Sequence, residues 1–107
     1  MSSITEAMDP HAMKLVTIVC EAYALEPVKK LLRTVGATGW TYFTVEGAGE
    51  HGERAGEMRE FANVQVEVIL KPSGAGELLA LLARELFPRY GMIAFESDVR
   101  VVRSAKF

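Results

Sequence analysis

Four β-forming segments and two helical ones, in the order β-α-β-β-α-β, predict an α+β chain: a ferredoxin-like sandwich with one antiparallel sheet and both helices on one face. The length of 107 residues suits one core and is too short for two. Between the second and third strand segments lies GAGEHGERAG, Gly47 to Gly56, with four glycines. A hairpin turn needs far fewer residues, and long connections in small domains are usually functional.

Each element has its own signal. Residues 1–13, MSSITEAMDPHAM, have no periodicity and read as a flexible extension before a domain spanning residues 14–107. Met1, Met8 and Met13 are all possible starts. KLVTIVC, from Lys14, is rich in β-branched residues and predicts a buried strand. Pro27 suits the first turn of a helix whose Val28, Leu31, Leu32 and Val35 form one stripe, and Gly36 stands where a left-handed C-cap is needed. The second strand is expected from Gly39 or Trp40 to about Glu46. In the third, Val64, Val66, Val68 and Leu70 alternate with Gln65, Glu67 and Ile69, giving one buried and one mixed face. Ser73 can cap a second helix with Leu78, Leu81 and Leu82 inward, closed by Pro88 and Gly91. The last strand, Met92 to Arg103, sets Ile93, Phe95, Val99 and Val101 opposite Glu96, Asp98 and Arg100. Strands with two apolar faces leave Trp40, Tyr42 and one face of the sheet to be covered by other copies of the chain.

Composition removes several functions. A net charge of -2 gives no general attraction to nucleic acid or an anionic membrane. The third strand lacks the aromatic residues of an RNA-recognition sheet. A single cysteine, Cys20, allows no disulfide framework or thiolate metal cluster, and it reads as a buried, inert thiol. His11 and His51 are the only histidines, so no metal site is expected. No apolar run is long enough to span a bilayer, and the first dozen residues lack the pattern of a signal peptide, so a cytoplasmic protein is expected. No catalytic triad or Walker loop can be assembled, and no enzyme is expected. Arg100 and Arg103 have the planar donor fork suited to phosphate or carboxylate, although Arg100 could equally pair with Glu96 or Asp98.

Three ordered motifs carry a family resemblance over Lys14 to Lys106. Val35-Gly36-Ala37-Thr38-Gly39-Trp40-Thr41 is similar to the V-G-I-T-G-M-T of the PII signalling family. Glu46 to His51, EGAGEH, is similar to the K-G-F-G-R-Q that enters its T-loop, and GMIAFESDVRVVR resembles its last strand through Gly91, Ile93, Arg100, Val101 and Arg103. The resemblance implies a homotrimer with an adenine nucleotide in each intersubunit cleft and a T-loop, about residues 46–62, that reports what is bound. By position it implies Thr38, Gly39 and Thr41 on the adenine side. Gly47, Ala48, Gly49, Gly91 and Met92 would lie near the phosphates, with Arg100 and Arg103 supplying charge. Glycine permits close backbone approach, and successive N–H groups can face an anion.

The departures imply a distinct branch. Met92 replaces a phosphate-binding lysine, and a Gly-Asp-Gly loop is reduced to Arg89-Tyr90-Gly91. His51 replaces the glutamine used with magnesium and 2-oxoglutarate, and Asn63 replaces the lysine that holds that acid, so no 2-oxoglutarate sensing is expected. The loop has no tyrosine for uridylylation. This pattern resembles the PII-like branch associated with carboxysomes and bicarbonate transport. It implies ADP or AMP as ligand, with bicarbonate near Gly47, Ala48, Gly49, Glu50 and His51. Gly52, Glu53, Arg54 and Arg59 would then meet a partner, such as a bicarbonate transporter or a carboxysome component. The alternative is a trimeric docking protein that uses the same loop without nucleotide.

Overall fold

The structure is a computed structural model that describes residues 11–49, 52–53, 63–103 and 107. Strand β1 (His11–Glu21) passes through a 3-10 turn (Ala22–Ala24) into helix α1 (Leu25–Thr34). Strands β2 (Thr41–Val45), β3 (Ala48–Gly49), β4 (Gly52–Glu53) and β5 (Asn63–Leu70) follow, then helix α2 (Pro72–Leu81), a π turn (Leu82–Leu86) and strand β6 (Met92–Val101). The main sheet runs β2-β5-β1-β6 with every neighbouring pair antiparallel, while β3 and β4 form a separate two-stranded ladder. This is the ferredoxin-like α+β arrangement that the element order predicts.

The strand phases decide what is buried. Val16, Ile18 and Cys20 of β1 and Val64, Val66, Val68 and Leu70 of β5 point to the helix layer, where they meet Val28, Leu31, Leu32, Ala75, Leu78, Leu82 and Leu86. The stripe at the i, i+3, i+4 spacing of α1 is thus its buried face, and a Glu26–Lys29 ion pair at 3.1 Å lies on its outer side. Gly36 ends α1 with φ +76. The Ala37 N–H donates to the Leu32 carbonyl at 3.0 Å and the Gly36 N–H to that of Arg33 at 3.1 Å, the paired bonds of a Schellman motif. Leu81 is only half-buried, whereas Leu78 and Leu82 are fully enclosed.

Several boundaries and faces differ from the sequence reading. β1 begins at His11, so residues 11–13 belong to the sheet, with Met13 opposite Val99, and only residues 1–10 of the expected extension lie outside the described residues. β6 ends at Val101, two residues before Arg103. Ser73 does not cap α2: Pro72 occupies the first helical turn and Lys71 is the cap residue, because proline's fixed φ and missing N–H suit that position. Tyr42 does not lie on the open sheet face. Trp40 packs against the core, and the register Tyr42↔Val66 turns Tyr42 toward the helices, where Lys29 Nζ sits 4.9 Å from its ring centroid. The open face of β2 instead carries Phe43, while β6 adds Ile93 and Phe95, which remain 64% and 49% exposed.

Cys20 is buried as expected, 1% exposed, and burial pushes its thiol up from 9.0 to about 11. The unfolded chain loses this proton near pH 9, whereas the folded chain keeps it to about pH 11. The stabilisation is therefore complete below pH 9 and declines between pH 9 and 11. At pH 8 iodoacetamide is expected to modify Cys20 only after denaturation. The alkaline fall in stability should be smaller in Cys20→Ala, measured by urea unfolding from pH 7 to 11. An equal fall in both proteins would show that Cys20 is not its source.

Candidate functional site

The helix α1 C-cap delivers residues 37–40 to the edge of the sheet just before β2. There, Thr38, Gly39, Trp40 and Thr41 line a cavity of about 460 Å³ with Leu15, Glu67, Ile69 and Phe107. Cross-strand register explains the grouping, because Leu15 pairs with Ile69 and Thr41 with Glu67. All four point away from the helices, in the same phase as Phe43, Ile93 and Phe95. The cavity therefore opens on the uncovered face of the sheet. Its walls are mostly apolar, with two hydroxyls and one carboxylate, the make-up of a site for a flat organic group with polar edges.

A second cavity of about 220 Å³ adjoins it across Thr38, Ile69 and Phe107, reaching Lys71, Ser73 and Gly74 at the start of α2. A groove of about 720 Å³ lies on the outer helix surface, between Glu26, Lys30 and Thr34 of α1 and Glu85, Leu86, Arg89 and Tyr90.

The sequence-derived residues fall into three places. Thr38, Gly39 and Thr41 share the first cavity. Gly47 follows β2 and Gly91 precedes β6, so both lie at the sheet end where Val45, Asn63 and Glu21 align, with Met92 opposite Cys20. Ala48 and Gly49 pair there with Glu53 and Gly52. Arg100, opposite Ala12, and Arg103 lie at the other end of β6. Met92 and Arg100 are separated by about 27 Å of strand at ~3.4 Å per residue. One copy of the chain cannot bring both groups to one ligand. Glu50, His51, Arg54 and Arg59 lie outside the described residues.

The electrostatics bear on the two readings of Arg100. Lys14, directly opposite Asp98, pairs with that carboxylate and lies 3.9 Å from Glu96. The hydrogen bond to Asp98 is the largest influence raising the Lys14 ammonium above its usual range. Lys14 is the cation paired with Asp98, and Arg100 and Arg103 are both exposed. At the other end of β6, Tyr90 stacks at a tilt on Tyr23, with ring centroids 5.7 Å apart, and packs against the core. The segment Arg89-Tyr90-Gly91 thus contains a structural aromatic anchor.

No group of three or more His, Cys, Asp or Glu side chains suited to a metal comes together among the described residues. No helix among them is long and apolar enough to cross a membrane. The sequence reading missed Leu15, Trp40, Glu67, Ile69 and Phe107 as cavity residues. The one legible sign was Glu67, a carboxylate within an otherwise valine-rich strand.

Residues 13–106 match the family described as nitrogen regulatory protein P-II. No functionally curated protein matches the chain. Among solved structures, a PII-like signalling protein from Thermus thermophilus is 35% identical, with 94% of this chain and 99% of that one covered at a TM-score of 0.81. CPII from Thiomonas intermedia, solved with ADP and bicarbonate, is 25% identical, with 94% and 98% covered at a TM-score of 0.84. CPII solved with ADP, AMP and bicarbonate has the same fold, at 24% identity, 94% and 97% coverage and a TM-score of 0.85. The match across nearly all of β1 to β6 places this chain in the nitrogen regulatory protein P-II family.

Proposed function

We propose that this protein is a PII-like regulator that binds ADP or AMP in clefts between the subunits of a homotrimer. Bicarbonate binds near Gly47 to His51, and the conformation of the T-loop passes the signal to a partner in inorganic carbon uptake or the carboxysome. The observation that carries this reading is the cavity of about 460 Å³ on the open sheet face, which brings together Thr38, Gly39 and Thr41. A second copy packed on that face would cover Phe43, Ile93 and Phe95 and bring its own Arg100 and Arg103 toward the site.

The ADP and bicarbonate in CPII support the choice of ligands. Exposed arginines supply charge to a phosphate, and a turn of backbone N–H groups suits a small planar anion such as bicarbonate. Met92 carries no charge, which favours fewer phosphates than ATP has. Trp40 and Thr41 offer an apolar surface and a hydroxyl to the base. The protein needs no catalytic group for this role: a ligand acts by favouring one T-loop conformation over another.

Isothermal titration with AMP, ADP and ATP, each with and without bicarbonate, tests the assignment. ADP or AMP should bind more tightly than ATP, and bicarbonate should change the nucleotide titration. If none of the three nucleotides binds, the loop serves as a docking surface without nucleotide. If a nucleotide binds but bicarbonate has no effect in its presence, the anion site is wrong and the nucleotide site stands.

A further inference from the structure

We propose that Phe107 forms the aromatic wall of the base-binding part of this cavity and stacks against the purine ring of the nucleotide. The inference rests on the nucleotide reading above and adds a residue from outside the three sequence motifs. Phe107 is half-buried, and it borders both the cavity of about 460 Å³ and the adjoining one of about 220 Å³. It therefore stands at their common boundary, together with Thr38 and Ile69.

Two roles are possible for an aromatic side chain in such a place. It could fill the base subsite and compete with ligand, or it could wall the subsite and contact the ligand. The volume decides between them. About 460 Å³ remains with Phe107 in place, within the range of ~300–1,000 Å³ usual for ligand sites. Phe107 is thus a wall of the cavity, not its occupant.

The remaining lining gives the wall its chemistry. Leu15 and Ile69 form an apolar floor on the sheet, and Trp40 contributes a second aromatic ring. Thr38, Thr41 and Glu67 place hydroxyl and carboxylate groups around that surface, matching the polar edge of a purine. A phosphate group gains nothing from Phe107, Leu15 or Ile69. The lining beside Phe107 is therefore mostly apolar, with Glu67 as its one carboxylate.

Titration calorimetry of the full chain and of F107A, F107L and F107Y with ADP, and separately with inorganic pyrophosphate, tests the wall. F107A and F107L should weaken ADP about ten-fold, the scale of an aromatic stacking contact removed from a base, and F107Y should restore it. Pyrophosphate, which has no base, should bind all four proteins alike or none of them. Trp40 is the only tryptophan, so its fluorescence gives an independent report of ADP entering the cavity. Wild-type affinity in F107A would overturn the proposal while leaving the nucleotide reading intact. Wild-type affinity in F107L would show that any apolar side chain suffices and would also overturn stacking. Equal loss of ADP and pyrophosphate would assign Phe107 to the fold instead. A flat ADP titration of the wild-type chain would remove the nucleotide reading itself, and the wall with it.

Discussion

Replacing Ile93 and Phe95 together by aspartate should leave a folded monomer that no longer binds ADP. Both side chains sit on the open sheet face, 64% and 49% exposed, and neither belongs to the core between sheet and helices. Full burial of such a side chain against another copy contributes roughly 1.5–3 kcal/mol, and a buried unpaired carboxylate reverses that gain. Sedimentation should show the loss of assembly, and circular dichroism should show the α+β fold retained. Calorimetry should show ADP affinity reduced by at least about a hundred-fold, because Arg100 and Arg103 lie at the far end of β6 from Gly91 and Met92 within one copy. A monomer with intact ADP affinity would place the whole site in a single chain. An unchanged oligomer would remove the open face from the interface.

The second large effect concerns the core. Leu32 is completely enclosed on α1, packed in the cluster formed with Val28, Leu78 and Leu82. Leu32→Ala removes that packing and leaves a cavity, at a cost of about 2–5 kcal/mol. The midpoint of thermal unfolding should fall by roughly 4–8 °C for each kcal/mol lost in a domain of this size. Urea denaturation of wild type and variant measures the difference. A loss below about 1 kcal/mol would mean that the helix layer closes over the deleted side chain. The Ala37 hydrogen bond is to the backbone carbonyl of Leu32, so the variant keeps that bond while it lasts as a folded protein.

Local patterns carried most of the architecture. Val28, Leu31 and Leu32 mark the buried face of α1 whatever surrounds it, and Gly36 marks its end because a left-handed turn strains other residues. Valine alternation fixed β5 in the same way. Trp40, Tyr42 and Phe43 were harder. Aromatics crowded this closely, with two of them adjacent, contain no clear phase of their own. The faces of Tyr42 and Phe43 follow from the β2–β5 register, in which a one-residue slip reverses every side chain. Pro72 hid the start of α2 because Ser73 offers a recognisable cap, yet proline at the first position fits better.

The candidate site divides along the same line. Thr38, Gly39 and Thr41 were legible through a continuous motif, while Leu15, Glu67, Ile69 and Phe107 come from separate segments that meet only in the folded chain, the first three through sheet pairing. Arg100 had two readings in the sequence because Glu96 and Asp98 lie on its own strand. Lys14, on the neighbouring strand, is the partner of Asp98, which sequence spacing along β6 does not reveal.

The Schellman turn after α1 has a thermodynamic consequence for recognition. Residues 37–40 have no regular secondary structure, yet Ala37 is tied to Leu32, and Ala37 and Trp40 pack against the core. Ordering a free backbone costs about 1–2 kcal/mol per residue, a cost that folding has already met for this segment. A ligand that reads Thr38 and Gly39 therefore meets a surface fixed in advance and keeps more of its contact energy as affinity. The two-residue ladder of β3 and β4 lies at the opposite extreme, since so short a pairing is marginal without further strands. Under the proposed function, rigidity at the first place and near-balance at the second would let a modest binding free energy be registered as a change of shape.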